Sequence, residues 1–72
     1  MAAGYDAVRI SDAEERALEL LGIPDEIAPC GKQPYIRDDC ESVLLYYTFL
    51  ERSAIYVADD RKVINKIHNV SP

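Results

Sequence analysis

The side chains of this chain best suited to metal binding, redox chemistry or catalysis are those of Cys30, Cys40 and His68. They are the only two cysteines and the only histidine, and nine residues separate the cysteines in a proline-containing segment. That spacing is not one that zinc ligands use, and His68 is far along the chain, so a metal site is the least favoured interpretation. The most favoured interpretation is that both cysteines are thiols, and a Cys30–Cys40 disulfide is the second. The disulfide would add about 2 to 3 kcal/mol of stability.

No other combination of side chains predicts catalysis. Ser53, His68 and Asp59 can be assembled into a Ser-His-Asp set, but no nucleophile-elbow pattern surrounds the serine. The acid pairs Asp38-Asp39 and Asp59-Asp60 lack the spaced oxygen ligands of a calcium loop and are typical of turns. No Gly-rich phosphate-binding loop is present, and the chain has only three glycines to build one. We therefore expect a protein that is not an enzyme and has no cofactor or metal.

The length and the net charge of the chain further limit the class of protein to which it can belong. A chain of 72 residues forms one domain whose stability is marginal without a disulfide, a metal or a partner subunit. The net charge is -5, with ten acids and four bases up to Glu41 and three acids and four bases after it. This balance argues against a broad nucleic-acid surface, which needs clustered cations. The predicted acidic surface comprises Asp12, Glu15, Glu19, Asp25, Glu26, Asp38 and Asp39.

The first ten residues, MAAGYDAVRI, contain no cationic start followed by an apolar core and a small-residue cleavage site. As the sequence stands this predicts a cytoplasmic protein, or a periplasmic one if a leader has been removed. No apolar run approaches the roughly 20 residues of a membrane span.

The stretch ISDAEERALELLGIPDEI contains signals for both the start and the end of one helix. Ser11 is a suitable N-cap, and Glu14 three residues later completes a capping box. Apolar residues recur with helical spacing up to Leu21, and Gly22 then supplies a left-handed end. At such an end we expect Ile23 to fold back onto Leu18.

The rest of the chain predicts extended structure. Residues 24–40 contain three prolines and read as irregular, with a short extended segment at 26–28. Three stretches at 42–50, 53–58 and 62–70 are rich in β-branched and aromatic residues and are separated by hairpin-sized gaps. The predicted fold is α+β, with one main amphipathic helix packed on a three-stranded antiparallel meander. Residues 1–9 form an arm or a poor first helix, and residues 10–72 form the single domain.

Alternation along the strands divides the apolar residues between two faces. The face beneath the helix is predicted to carry Val43, Leu45, Tyr47 and Phe49, joined by Ile55 and Val57 or by Val63 and Ile67. The other face is predicted to carry Leu44, Tyr46, Tyr56 and Ile64. Both faces are apolar, although a single helix covers only one, so an uncovered part centred on Tyr46 and Tyr56 would be a protein interface.

The order of these pieces resembles a known family. The helix from Ser11 to Asp25 with its ending LGIPD, the strand LLYY and the closing segment AIYVADDRKVINKI are similar to the SmpA/OmlA (BamE-like) family of small domains, relatives of the β-lactamase inhibitor proteins. The resemblance implies a helix on a three-stranded antiparallel sheet and a role in binding proteins. The turn glycine of the family's final hairpin is replaced by Arg61 in this chain.

Two classes of function follow. The first is a non-enzymatic interaction or assembly module that binds another protein or itself, as a homodimer, through its sheet face, a free edge or the loop around Tyr35. The second is an acidic inhibitor or nucleic-acid mimic that binds a basic site on another protein. The interface candidates are Tyr46, Tyr56, Leu44, Ile64 and Tyr35.

Overall fold

The computed structural model describes residues 2–31, 37–48 and 51–70. Two short helices, α1 (Ala2–Ala7) and α2 (Glu14–Leu21), precede four strands: β1 (Glu26–Pro29), β2 (Cys40–Tyr47), β3 (Glu51–Ala58) and β4 (Val63–Val70). No helix in these ranges is long and apolar enough to cross a membrane.

The four strands form one antiparallel sheet in the order β1-β2-β3-β4. The fold is α+β, but the prediction of one helix on three strands was wrong. The extended segment expected at 26–28 is β1, which pairs with β2 and adds the fourth strand. The first nine residues contain α1, whose Tyr5 packs against the core while Val8, just beyond it, is buried.

Both helices pack on one face of the sheet, which we call the helix face. Its core combines Val8 and Ala17 with side chains from β2, β3 and β4. Leu44 lies directly opposite Ile55, and Tyr46 lies opposite Ser53, so these cross-strand partners point to the same side. The members of this core are Val8, Ala17, Leu44, Tyr46, Ile55, Val57 and Val63.

The predicted start of α2 was wrong, because tertiary pairing replaces the capping box. Ser11 has φ 80° and its side chain makes no cap; its amide N–H donates to the Val63 carbonyl at 2.7 Å. Val63 N–H donates back to Asp12 O at 2.8 Å, and Glu14 N–H donates to Arg61 O at 2.8 Å. The β3–β4 hairpin therefore satisfies donors that a capping side chain would otherwise satisfy.

The helix ends at the predicted place by a different geometry. Gly22 N–H donates to Leu18 O at 2.8 Å, with φ 81° and ψ -164° at the glycine. This ψ sends the chain outward rather than back along the helix. Ile23 does not fold onto Leu18 and is instead 93 % exposed.

Candidate interaction surface

The second face of the sheet, which we call the open face, has neither helix packed on it in the described part of the chain. Register defines its members, since Val43 lies opposite both Ala28 and Tyr56, and Leu45 lies opposite Ala54. The next rows pair Tyr47 with Arg52 and Ala54 with Ile67. The apolar side chains of the open face are Ala28, Val43, Leu45, Tyr47, Ala54, Tyr56 and Ile67.

Packing within the open face is uneven. Val43 is buried between its cross-strand neighbours, whereas Tyr47 and Ile67 are 39 % and 38 % exposed. The Arg52 guanidinium carbon lies 5.1 Å from the centre of the Tyr47 ring, within the range of a cation–π contact. Tyr47 is also held through its backbone, because its N–H donates to Asp25 Oδ2 at 2.7 Å. The open face thus presents positioned apolar side chains with a charged group at one corner.

The structure separates the predicted interface residues. Leu44 and Tyr46, expected on an uncovered face, lie in the core and are 1 % and 2 % exposed. Tyr56 belongs to the open face and is partly buried, and Ile64, also partly buried, sits at a bulge between β3 and β4. Tyr35 lies outside the described residues.

A one-residue difference in register explains the misassigned faces. The prediction grouped Leu45 and Tyr47 with Ile55, but Ile55 pairs with Leu44. Moving a strand by one residue transfers every side chain to the opposite face. The same difference places Ile67 on the open face, while Ile55, Val57 and Val63 lie beneath the helices. Phe49, predicted beneath the helix, lies outside the described residues.

Tyr46 shows why its face is the inner one. Its hydroxyl donates to Gly22 O at 2.8 Å, which joins the end of α2 to β2. Burial raises the pKa of the Tyr46 phenol, and the negative charges of Asp25 and Glu14 raise it further. A charged phenolate is disfavoured at this position, as expected for a structural hydrogen bond.

Cys30 and Cys40 form a disulfide rather than the two thiols favoured from the sequence. Their Cα atoms are 5.9 Å apart, a normal separation for a disulfide. Cys30 directly follows β1, and Cys40 begins β2. The bond therefore fastens the end of β1, at the edge of the described sheet, to the neighbouring strand β2.

The potential Ser-His-Asp set is not assembled. Ser53 and His68 are cross-strand partners on the helix face, but Asp59 follows the opposite end of β3. His68 Nε2 lies 3.8 Å from Glu51 Oε2, and its ring lies 5.0 Å from that of Tyr5. Ser53 is 4 % exposed, which shields its hydroxyl from any substrate.

A shallow groove of about 390 Å³ lies beside the helices, lined among the described residues by Gly4, Leu20, Leu21 and Thr48. None of these side chains is titratable. The described residues contain no cluster of three or more His, Cys, Asp or Glu that could hold a metal ion.

Several predicted acids are engaged by the fold. Asp12 accepts a hydrogen bond from Arg9 N–H at 3.0 Å, and Asp39 pairs with Arg37 at 2.6 Å. Asp25 accepts from Tyr47, as described above. The predicted acids that remain exposed on α2 and at the start of β1 are Glu15, Glu19 and Glu26, and Asp38 is exposed in the loop.

Sequence reasoning missed the exposure of the large apolar side chains Tyr47, Ile67, Ile23 and Ile27. The alternation of β2 contained Tyr47, but only the register of the hairpin could assign it to the open face. The signal for Ile23 was present in Gly22 and Pro24, which together force a sharp exit from the helix.

Comparisons with family models, curated proteins and solved structures found no match to this chain.

Proposed function

We propose that this protein is a non-enzymatic interaction module that binds through its open face, and that a second copy of the chain occupies that face. The observation that carries the proposal is the asymmetry of the sheet. In the described ranges both helices pack on one face, while the other presents partly exposed Tyr47, Tyr56 and Ile67. Contiguous exposed apolar surface of this kind commonly marks a protein-binding site.

The charge distribution supports a second copy as the occupant. A net charge of -5 opposes self-association if the charges face each other. Among the described strand residues of the open face, one acid, Glu26, is balanced by one base, Arg52. Glu14, Glu15 and Glu19 all belong to α2 on the other side. Two copies that meet through their open faces keep these carboxylates apart.

The size of the face is also suitable. Three strands of eight residues and one of four, about 4.8 Å apart and rising about 3.4 Å per residue, offer roughly 450 Å² per copy. Two copies would bury roughly 900 Å² in total, the size of a weak or transient interface. We therefore expect a reversible dimer with micromolar rather than picomolar affinity.

Two further features are consistent with this proposal. The disulfide supports residence in an oxidising compartment such as the periplasm, because cytoplasmic thiols are kept reduced. The resemblance to the SmpA/OmlA (BamE-like) family, which implies a protein-binding role, stays a prediction. The alternative role as an acidic inhibitor or mimic has weaker support, because Asp12, Asp25 and Asp39 make contacts within the fold.

The test is sedimentation equilibrium between micromolar and millimolar protein at low and high salt. Wild type is compared with Tyr47→Ser and Ile67→Ser on the open face. Ile10→Ser is the matched control, because Ile10 is exposed but lies outside the sheet. We expect a dimer that persists at high salt and is weakened at least about tenfold by the open-face changes, with the circular dichroism spectrum unchanged.

A chain that remains monomeric at millimolar concentration would reject the second copy as the occupant. A dimer with equal affinity in all four proteins would place self-association elsewhere and contradict the use of the open face.

A further inference from the structure

The two outer strands of the sheet differ in length and in what protects them. β1 has four residues and ends in Pro29, which has no amide N–H to donate to a further strand. β4 has eight residues and contains neither proline nor glycine. Within the described ranges, β3 is its one neighbour in the sheet. A long strand edge of this kind presents backbone groups with which another strand can pair.

The chain itself begins to pair with the outer side of β4, at Val63. Ser11 N–H donates to Val63 O at 2.7 Å, and Val63 N–H donates to Asp12 O at 2.8 Å. The pairing is antiparallel, with Ala13 opposite Lys62. It ends there, because residues 10 and 11 form a turn in which Ser11 has φ 80°. The position of a fifth strand is thus used over a single bridge, and the described residues place no strand beside the rest of β4.

The outward backbone groups of this remaining edge belong to Lys66 and His68. A bulge adds one residue to β4 between Val63 and Asn65, so the alternation of inner and outer groups shifts by one residue. Lys66 N–H agrees with this assignment, since it donates to the side-chain Oδ1 of Asn65 at 2.8 Å. No backbone group of the described residues outside the sheet pairs with Lys66 or His68. A strand added here would continue the ladder that residues 11–13 begin.

The lysine on this edge is turned aside rather than set across it. An edge lysine often prevents strand addition. Here Lys66 Nζ donates to Tyr5 O at 2.9 Å and lies 4.4 Å from the centre of the Tyr5 ring. An ammonium group has three donors, so two are left for a carboxylate of an added strand. The ionisable residues of β4 are Lys66 and His68, with no acid between Val63 and Val70. The edge therefore favours an acidic strand.

A second copy of the chain is a poor occupant of this edge. In a second copy the outward groups again belong to Lys66 and His68. Antiparallel pairing of two β4 strands through these groups places one of the two basic residues opposite another, and like charges in that position are destabilising. An extended segment of another protein avoids this repulsion when it carries glutamate or aspartate.

We infer that the outer edge of β4 binds an extended, acidic segment of another protein as an added antiparallel strand. Its backbone pairs with Lys66 and His68, and its carboxylates lie beside their side chains. This binding uses backbone groups rather than the open face, and it gives the module a partner of a different chemical class from the second copy.

The test uses an acetylated and amidated nine-residue peptide in which valine and glutamate alternate. One matched peptide carries lysine in place of glutamate, and another carries proline in place of the three central valines. Binding is followed by NMR of the ¹⁵N-labelled full chain, with amide hydrogen exchange in the free and the bound protein. The protein variants are Lys66→Glu, and Lys62→Glu as the control with the same change in net charge. Lys62 is exposed where residues 11–13 already pair with the edge.

We expect the glutamate peptide to slow exchange of the Lys66 and His68 amides at least about tenfold, because each gains a backbone acceptor. The Ile67 amide, which faces β3, should exchange slowly with or without peptide, and the amides of β1 should not change. Lys66→Glu should bind at least about fivefold more weakly than wild type and Lys62→Glu. The lysine peptide should bind more weakly, and the proline peptide should not bind.

Unchanged exchange of the Lys66 and His68 amides at millimolar glutamate peptide would overturn the inference, as would equal binding of the three peptides. The peptide comparison needs no change to the protein, so it stands even if Lys66→Glu disturbs the fold. Protection of these amides that rises with protein concentration in the absence of peptide would instead identify a second copy as the occupant of the edge. Tyr47→Ser should bind the peptide like wild type, which separates failure at this edge from failure of the open face.

Discussion

The two faces of the sheet are built from neighbouring residues of the same strands but meet different surroundings. Leu44 packs beneath the helices, while Leu45, the next residue, lies on the open face and is partly buried. Tyr46 donates a hydrogen bond to the end of α2, while Tyr56 belongs to the opposite face. Side-chain type does not distinguish the pairs, so cover by α1 and α2 decides which apolar residues stabilise the fold and which are left for a partner.

The leucine pair gives the largest expected effect. Leu44→Ala removes a fully buried side chain and should lower the free energy of unfolding by about 2 to 5 kcal/mol. Leu45→Ala, the matched change on the open face, should cost about 1 kcal/mol or less in the monomer. Urea unfolding at low protein concentration measures both. Equal losses would mean that the two faces are equally buried, contrary to the comparison.

The second largest effect on the free energy of unfolding is expected for the disulfide, because it fastens a strand that the rest of the fold covers poorly. β1 is an edge strand, and its Ile27 is largely exposed. Reduction, or the double change Cys30→Ser/Cys40→Ser, should lower the free energy of unfolding by about 2 to 3 kcal/mol by freeing the loop in the unfolded chain. Urea unfolding with and without reductant measures the loss. A wild-type protein that is indifferent to reductant and has two titratable thiols would contradict the bond.

Removal of the hydroxyl group from Tyr46 or from Tyr56 should have a smaller effect on stability, and the effect should differ between the two residues. Tyr46→Phe leaves Gly22 O without its hydroxyl donor and should cost about 1 kcal/mol. Tyr56→Phe should stay within about 0.5 kcal/mol of wild type, as for a surface substitution. Thermal unfolding compares the two proteins with wild type, and a greater loss for Tyr56→Phe would reverse the assignment of the faces.

The smallest expected effect is the pH dependence of stability that arises from Tyr46. The pKa of Tyr46 is raised in the folded state, so the unfolded chain releases this proton first as the pH rises. The stability contribution is complete below about pH 10, the ordinary tyrosine pKa, and is lost as the pH rises above it. Burial, with a further contribution from Asp6, raises the pKa of Tyr5 in the same direction. Unfolding in urea between pH 8 and 11 should show falling stability, with a shallower fall in Tyr46→Phe; an equal slope in the two proteins would exclude this linkage.

Local patterns were sufficient where the information was local. The end of α2 at Leu21 follows from Gly22 and the proline after it, and the β-rich texture of residues 40–70 follows from β-branched and aromatic side chains. The predicted acids on α2 and β1, Glu15, Glu19 and Glu26, are exposed, as charged side chains usually are.

Features that depend on distant residues could not be predicted in the same way. Ser11 has the composition of an N-cap, but Val63 and Arg61 accept the nearby amide N–H groups, and that pairing exists only after the β3–β4 hairpin docks. Arg61 itself has φ 65°, the left-handed conformation that glycine adopts freely, in the turn of that hairpin.

The sequence by itself therefore determined where the chain turns, where it is extended and which residues are apolar. Only the tertiary structure decided which apolar residues became core and which became surface. The physical reason is that side chains alternate along a strand with a period of two, so a single residue of register between β2 and β3 reverses the faces without changing either strand's composition. The helices then cover one of the two faces, and the exposure of Tyr47 and Ile67 is a consequence of that choice.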